Sequence, residues 1–158
     1  MKKLSFVLLM LISTLYFVSC EKDKKTDVTE QCIFYNPFTS PCFSRLAAFS
    51  LDHFIITDNE AYQKFGDTIR DYPSGINCDT ITLPVIDFNK YTLIGKHTGG
   101  GGCHAYYERQ ILQDDNAKII IYRITVQYEG KCTMLHESRN WVLIPKLQNG
   151  YSVEFQVN

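Results

Sequence analysis

The stretch from Lys118 to Tyr128 has the side-chain pattern of a β-strand. Ile120, Tyr122, Ile124, Val126 and Tyr128 recur at every second position, while Arg123, Thr125 and Gln127 share the other face with Ile119 and Ile121. Period two places each set on its own side of a pleated sheet. One large apolar face needs a second layer to cover it. Further runs follow the same logic. His53-Phe54-Ile55-Ile56, Ile81-Thr82-Leu83, Val85-Ile86-Asp87-Phe88, Tyr91-Thr92-Leu93-Ile94, residues 105–112 and Asn140-Trp141-Val142-Leu143-Ile144 read as strands. In the tail Tyr151, Val153, Phe155 and Val157 alternate with Ser152, Glu154 and Gln156, and Asn149-Gly150 before it signals a tight hairpin. One helix interrupts the strands. Thr57 and Glu60 have capping-box spacing, and Ala61, Tyr62, Phe65 and Ile69 fall near helical spacing, with Gly66 weakening the end. The helix is expected from Asp58 to Phe65, with an extension to Ile69 left open. Consecutive strands, short turns and one helix predict a mainly β (α+β) domain. It is an antiparallel sandwich or a partly closed, curled sheet.

The front of the chain is of a different kind. Lys2 and Lys3 precede an apolar run from Leu4 to Val18, and Phe17-Val18-Ser19-Cys20 has the form of a bacterial lipobox, with Phe17 in place of the usual Leu. The fifteen residues of this run, 4 to 18, would span roughly 22 Å as a helix, short of a ~30 Å hydrocarbon core. A cleaved signal over residues 1–19 fits better than an anchor that stays. Cys20 is then the lipidated N-terminus, and several acyl chains would hold it firmly. This predicts a lipid-anchored protein of the bacterial cell envelope, at the outer membrane if the cell is Gram-negative. Residues 20–30 are polar with one Val and read as a flexible tether. Residues 31–52, with two prolines and many aromatics, read as an irregular arm, and residues 53–158 as the folded domain.

Removing residues 1–19 from the 158 leaves 139, enough for one real core. All 17 acids remain with 14 of the 16 bases, so the mature net charge is −3. There is no basic stripe, and no nucleic-acid partner is expected. With Cys20 acylated, five cysteines remain, an odd number, so one stays free or pairs between chains. Antiparallel pairing about Asp115-Asn116 sets Cys103 opposite about Tyr128, and a short extension or bulge brings it to Cys132. A Cys103–Cys132 disulfide is expected. A second bond is read as Cys32–Cys42, with a bond from Cys78 to one of these two as its rival.

His97-Thr98-Gly99-Gly100-Gly101-Gly102-Cys103-His104 is the stretch where chemistry would be sought. A phosphate cradle would need a Gly-Lys-Ser/Thr ending and a following helix, and neither is present. An oxyanion loop would lack its nucleophile elbow. A Cys103 nucleophile with His104 as base fails on a strand, because adjacent side chains point to opposite faces. His97 or His136, oriented by Asp87, keeps a Cys/His hydrolase as a third reading. No His-x-x-x-His pair joins His53, His97, His104 or His136, so no metal, cofactor or catalytic residue is assigned. The glycines read as a flexible, positive-φ connection between strands. Flanked by His97, His104 and Tyr106, the loop Gly99, Gly100, Gly101 and Gly102 is the candidate contact surface. Aromatics at 13% raise glycan binding as a second reading, although Tyr122, Tyr128, Trp141, Tyr151 and Phe155 sit on faces that want a core.

From Phe54 onward four patches carry a family likeness. They are Ile55-Ile56-Thr57-Asp58-Asn59-Glu60-Ala61-Tyr62, Ile86-Asp87-Phe88-Asn89-Lys90-Tyr91, Thr98-Gly99-Gly100, and Trp141-Val142-Leu143-Ile144-Pro145-Lys146. In order and spacing they resemble the C-terminal domain of the PrcB family, proteins associated with a secreted bacterial protease complex. The cysteines at 78, 103 and 132 depart from the general pattern, and residues 20–52 have no counterpart. The resemblance implies a stabilising or protein-interaction module and supplies no catalytic residues. The expected partner is an envelope or secreted protein, with the membrane engaged through the lipid. The alternative is a carbohydrate-binding accessory lipoprotein.

Overall fold

The computed structural model describes residues 25–34, 52–71, 78 and 82–158. Cys20, Cys42 and the signal region lie outside these residues. Among the described residues there are eight strands: β1 Thr26–Asp27, β2 Ile33–Phe34, β3 His53–Ile56, β4 Tyr91–Gly101, β5 His104–Asp114, β6 Ile119–Glu129, β7 Leu135–Pro145 and β8 Ser152–Val157. They form two four-stranded sheets, β1-β5-β6-β8 and β2-β7-β4-β3. The protein is therefore a mainly β sandwich with one helix, α1, over Asn59–Arg70.

α1 packs on the outer face of the β4/β7 sheet. Its Tyr62, Phe65 and Ile69 are buried with Ile56, Leu93, Trp141 and Leu143. The cap is Asp58, whose Oδ1 accepts Ala61 N–H at 2.8 Å, and Thr57 instead donates its hydroxyl to Asp58 Oδ2. The helix runs four residues past Gly66, and glycine fits at 66 because the Leu83 side chain lies 2.7 Å from where a Cβ would be. Burying Ile69 outweighs the ~1 kcal/mol that Gly costs in a helix.

The second core lies between the sheets. Ile94, Val142 and Ile144 from one sheet meet Ile111, Ile120, Tyr122 and Ile124 from the other. β5 and β6 are an antiparallel hairpin joined by a turn over residues 115–118, with Lys118 at φ 55°. The predicted face of β6 is the inner one.

Several expectations are corrected. Residues 82–87 form no strand. Ile86 and Phe88 are buried as anchors for an extended segment that covers α1, and Tyr62 Oη donates to Pro84 O at 3.0 Å. The tail is no hairpin on β7. After Pro145 the chain crosses to the other sheet, where β8 pairs β6 in parallel, Ile119↔Ser152 to Ile124↔Val157. Lys146 fixes the crossing by donating to Thr57 O and Phe88 O, and Gly150 takes φ +84° at the turn. Val153 and Phe155 pack inward as expected, but Val157 is exposed at the rim.

The tether also ends earlier than its composition implies. Thr26–Asp27 pair with Gln113 and Leu112, Val28 is buried, and a 3-10 turn at Thr29–Gln31 leads to β2 on β7. Residues 26–34 thus form a strap across one edge of both sheets. Cys32 belongs to this strap and is a free thiol, so the Cys32–Cys42 bond is not formed. Its Sγ lies 3.4 Å from Val28 O and packs beside the inter-sheet core. Cys78 is disulfide-bonded, and its partner lies outside the described residues.

Candidate functional site

The predicted contact residues gather at one end of the sandwich, called upper here, where β4 turns into β5 and β6 into β7. The glycine run is not a positive-φ loop. Gly99, Gly100 and Gly101 are strand residues of β4, opposite Glu137, His136 and Leu135, and none has positive φ. Glycine is required at 100 because the Tyr128 ring from the other sheet lies where a Cβ would sit, 2.4 Å from Cζ. Trp141 makes the same demand at Gly95. These glycines are seats for aromatic rings. Only Gly102 and Cys103 connect β4 to β5.

The expected Cys103–Cys132 disulfide is formed, with Cα atoms 4.8 Å apart. It ties the β4–β5 turn to the β6–β7 loop. Gly130, at φ +82°, leaves room for Cys103 Sγ, which lies 2.3 Å from the position a Cβ would take. Cys103 N–H donates to Glu129 O at 2.6 Å, so the hairpin register continues to the staple. With Cys103 in this bond the nucleophile of the hydrolase reading is gone. Asp87, its proposed orienting group, stands before β4 at the opposite end.

The histidines separate. His136 Nε2 lies 3.1 Å from Gly102 O, at the tip. His97 is paired in register with Arg139 on the outer face of the β4/β7 sheet, and its Nε2 is buried without a hydrogen bond. His104 is exposed on the outer face of the other sheet, its ring 6.4 Å from that of Tyr106. Among the described residues no three His, Cys, Asp or Glu side chains converge. Tyr106 is 53% exposed, and with Met134 and Leu135 it gives the upper end its apolar surface. Of the aromatics on strand faces, Tyr122 and Trp141 are buried, and Tyr128, Tyr151 and Phe155 are partly buried.

Inside the upper half the sheets meet through polar groups that the sequence reading did not single out. Asn140 is 1% exposed. Its Oδ1 accepts Arg109 Nε at 3.0 Å, and its Nδ2 donates to Thr98 Oγ1 at 2.9 Å and Lys96 O at 3.3 Å. Arg109 also stands over the Tyr107 ring. The one available signal was an Asn opening a run of four apolar residues.

Two open grooves flank this half. One, of about 560 Å³, runs between β4 and β6 and is bordered by Asp52, His97, Thr98 and Tyr128. Asp52 accepts from Lys96, which holds its carboxyl below the usual range. The other, of about 570 Å³, lies where the strap leaves β5. Asp27 there accepts from Thr29 and Gln110, which lowers its pKa in the same way.

Comparison with family models, with curated proteins and with solved structures finds no match.

Proposed function

We propose that the chain is a lipid-anchored cell-envelope protein whose β domain is a non-catalytic protein-interaction module. This is the role implied by its resemblance to the protease-complex-associated PrcB domain. One observation carries the reading. The strap that continues from the lipobox and tether enters at the lower end, where Thr26 pairs with Gln113. Tyr106, Met134, Leu135 and the disulfide lie at the other end. Ten residues of β5 separate Gln113 from Cys103, roughly 33 Å of strand. A domain held by its N-terminus on a membrane would therefore carry Tyr106, Met134 and Leu135 on the far side. Exposed apolar surface at a rigid tip suits protein contact, and the staple holds that tip in one shape.

Native cross-linking in cells tests the proposal. A partner cross-linked to residues 104–106 or 133–135 is the expected result, together with acyl mass on Cys20. Repeated failure to recover a partner from intact envelopes would count against it. Acyl-free Cys20 in membrane-extracted protein would remove the anchor.

A further inference from the structure

The strap is a strand-addition contact that the chain makes on itself. β1 lies antiparallel on the outer edge of β5. Val28 N–H donates to Ile111 O at 2.9 Å, and Ile111 N–H donates to Thr29 Oγ1 at 2.9 Å. Ile111 thus turns both backbone groups away from β6. Alternate residues of an antiparallel strand face the same neighbour, so Arg109, Tyr107 and Ala105 turn theirs to the same side. The strap leaves this edge at Thr29 and crosses to β2. Among the described residues no strand pairs with the outer edge of β5 between His104 and Ile111. A row of unpaired N–H and C=O groups is a template for another strand.

The side chains beside the edge say what that strand would carry. The groove at the end of the strap is bordered by Asp27, Glu30 and Glu108. The Arg109 guanidinium that would offset them is turned between the sheets, on Asn140 and over Tyr107. The groove is thus lined by three carboxylates, with the Arg109 head turned inward and Arg123 held on Gln110 beside it. Two residues from Glu108, on the same face, stands the exposed ring of Tyr106.

We propose that the edge of β5 from Ala105 to Arg109 receives an extended strand of a partner protein. That strand runs antiparallel and continues the line of the strap. It carries a Lys or Arg opposite Glu108 and, two residues later, an apolar side chain over Tyr106. This deepens the interaction-module reading and rests on it.

The test uses the full chain in detergent and a capped peptide, Val-Thr-Lys-Thr-Val-Thr-Val, as probe. Amide exchange should slow at Ala105, Tyr107 and Arg109. Replacing the peptide Lys by Glu should weaken binding about fivefold, the size of one exposed charge pair. Glu108→Lys, an exposed substitution, should reverse that preference. N-methylation of alternate peptide amides should abolish protection. The proposal is overturned if millimolar peptide leaves the three amides unprotected, if the N-methylated peptide binds equally, or if Glu108→Lys leaves the preference unchanged. Cross-linking in cells separates the two levels. A partner mapped to α1 or to β4 overturns the edge and leaves the module reading intact. Peptide protection without any cellular partner supports the edge and counts against the module.

Discussion

In the lower half of the sandwich the sheets meet through Ile94, Val142, Ile144, Ile111 and Ile120, whereas in the upper half the same four long strands meet through Asn140, Arg109, Thr98 and a Tyr128 ring seated on Gly100. Apolar burial is non-directional and contributes about 1.5–3 kcal/mol per large side chain. It fixes that two sheets pack, and less firmly how they are registered. The upper contacts are directional, with Asn140 using its carbonyl and both amide hydrogens. They gain less net free energy per group, and the disulfide adds a covalent tie where apolar contact is thin. The lower half supplies most of the stability and leaves the upper half free to carry a shaped, exposed end.

The largest effect should come from the lower core. Ile111 is fully buried, so Ile111→Ala should cost about 3–4 kcal/mol in urea unfolding and weaken both halves together. A loss confined to the lower strands would break the comparison, because it would mean that the upper half stands alone. Cys103→Ser with Cys132→Ser comes next. Opening a bond that spans 29 residues should cost about 3 kcal/mol. Faster amide exchange should be concentrated at residues 99–105 and 128–136, with the lower strands protected up to the global transition.

This asymmetry explains what was readable in the amino-acid order. The Cys103–Cys132 bond followed from counting back from the turn near Asp115-Asn116, since a hairpin register is a local property. The inner face of β6 followed from period two. The partner of the tail did not, because alternation tells which face is buried and says nothing of the neighbouring strand or its direction. A glycine at 100 signals conformational freedom in the sequence, but its reason is Tyr128, a ring brought from 28 positions away. The strap was hidden by composition, since one buried Val28 among polar residues gives no periodicity. The upper polar network joins Thr98, Arg109 and Asn140 from three strands, and no spacing rule links them.

Two substitutions sharpen the contrast at single polar groups. Asn140→Ala should cost about 2 kcal/mol, since it leaves Arg109 Nε without its acceptor in a half-buried site. A double-mutant cycle with Arg109→Met should show coupling of about 1 kcal/mol; strict additivity would mean that the contact holds nothing. Tyr122→Phe should behave in the opposite sense. Tyr122 is fully buried, burial pushes its pKa far up, and its hydroxyl has no hydrogen-bond partner. Removing that hydroxyl should be neutral or stabilise by about 1 kcal/mol. A clear loss of stability would reveal a partner for the hydroxyl and make the lower core less purely apolar than its side chains suggest.

The smallest effect concerns Cys32, where the strap meets the lower core. Burial, with a lesser push from Asp27, raises its thiol to about 11 from an ordinary value of 9.0. The folded state therefore disfavours the thiolate. Its contribution to stability is complete below pH 9, and it is lost as pH climbs through about 11. Cys32→Ser should leave stability at pH 7 little changed and make the alkaline fall between pH 9 and 11 shallower than in the parent. At pH 8 the folded chain should hold about a hundredfold less thiolate at Cys32 than a free cysteine. Alkylation mapped to Cys32 should be slower in proportion. Reaction at the free-cysteine rate would mean that the strap opens faster than the reagent attacks. Residues 26–34 would then belong energetically with the exposed upper end, and the line between the halves would have to be redrawn below β1 and β2.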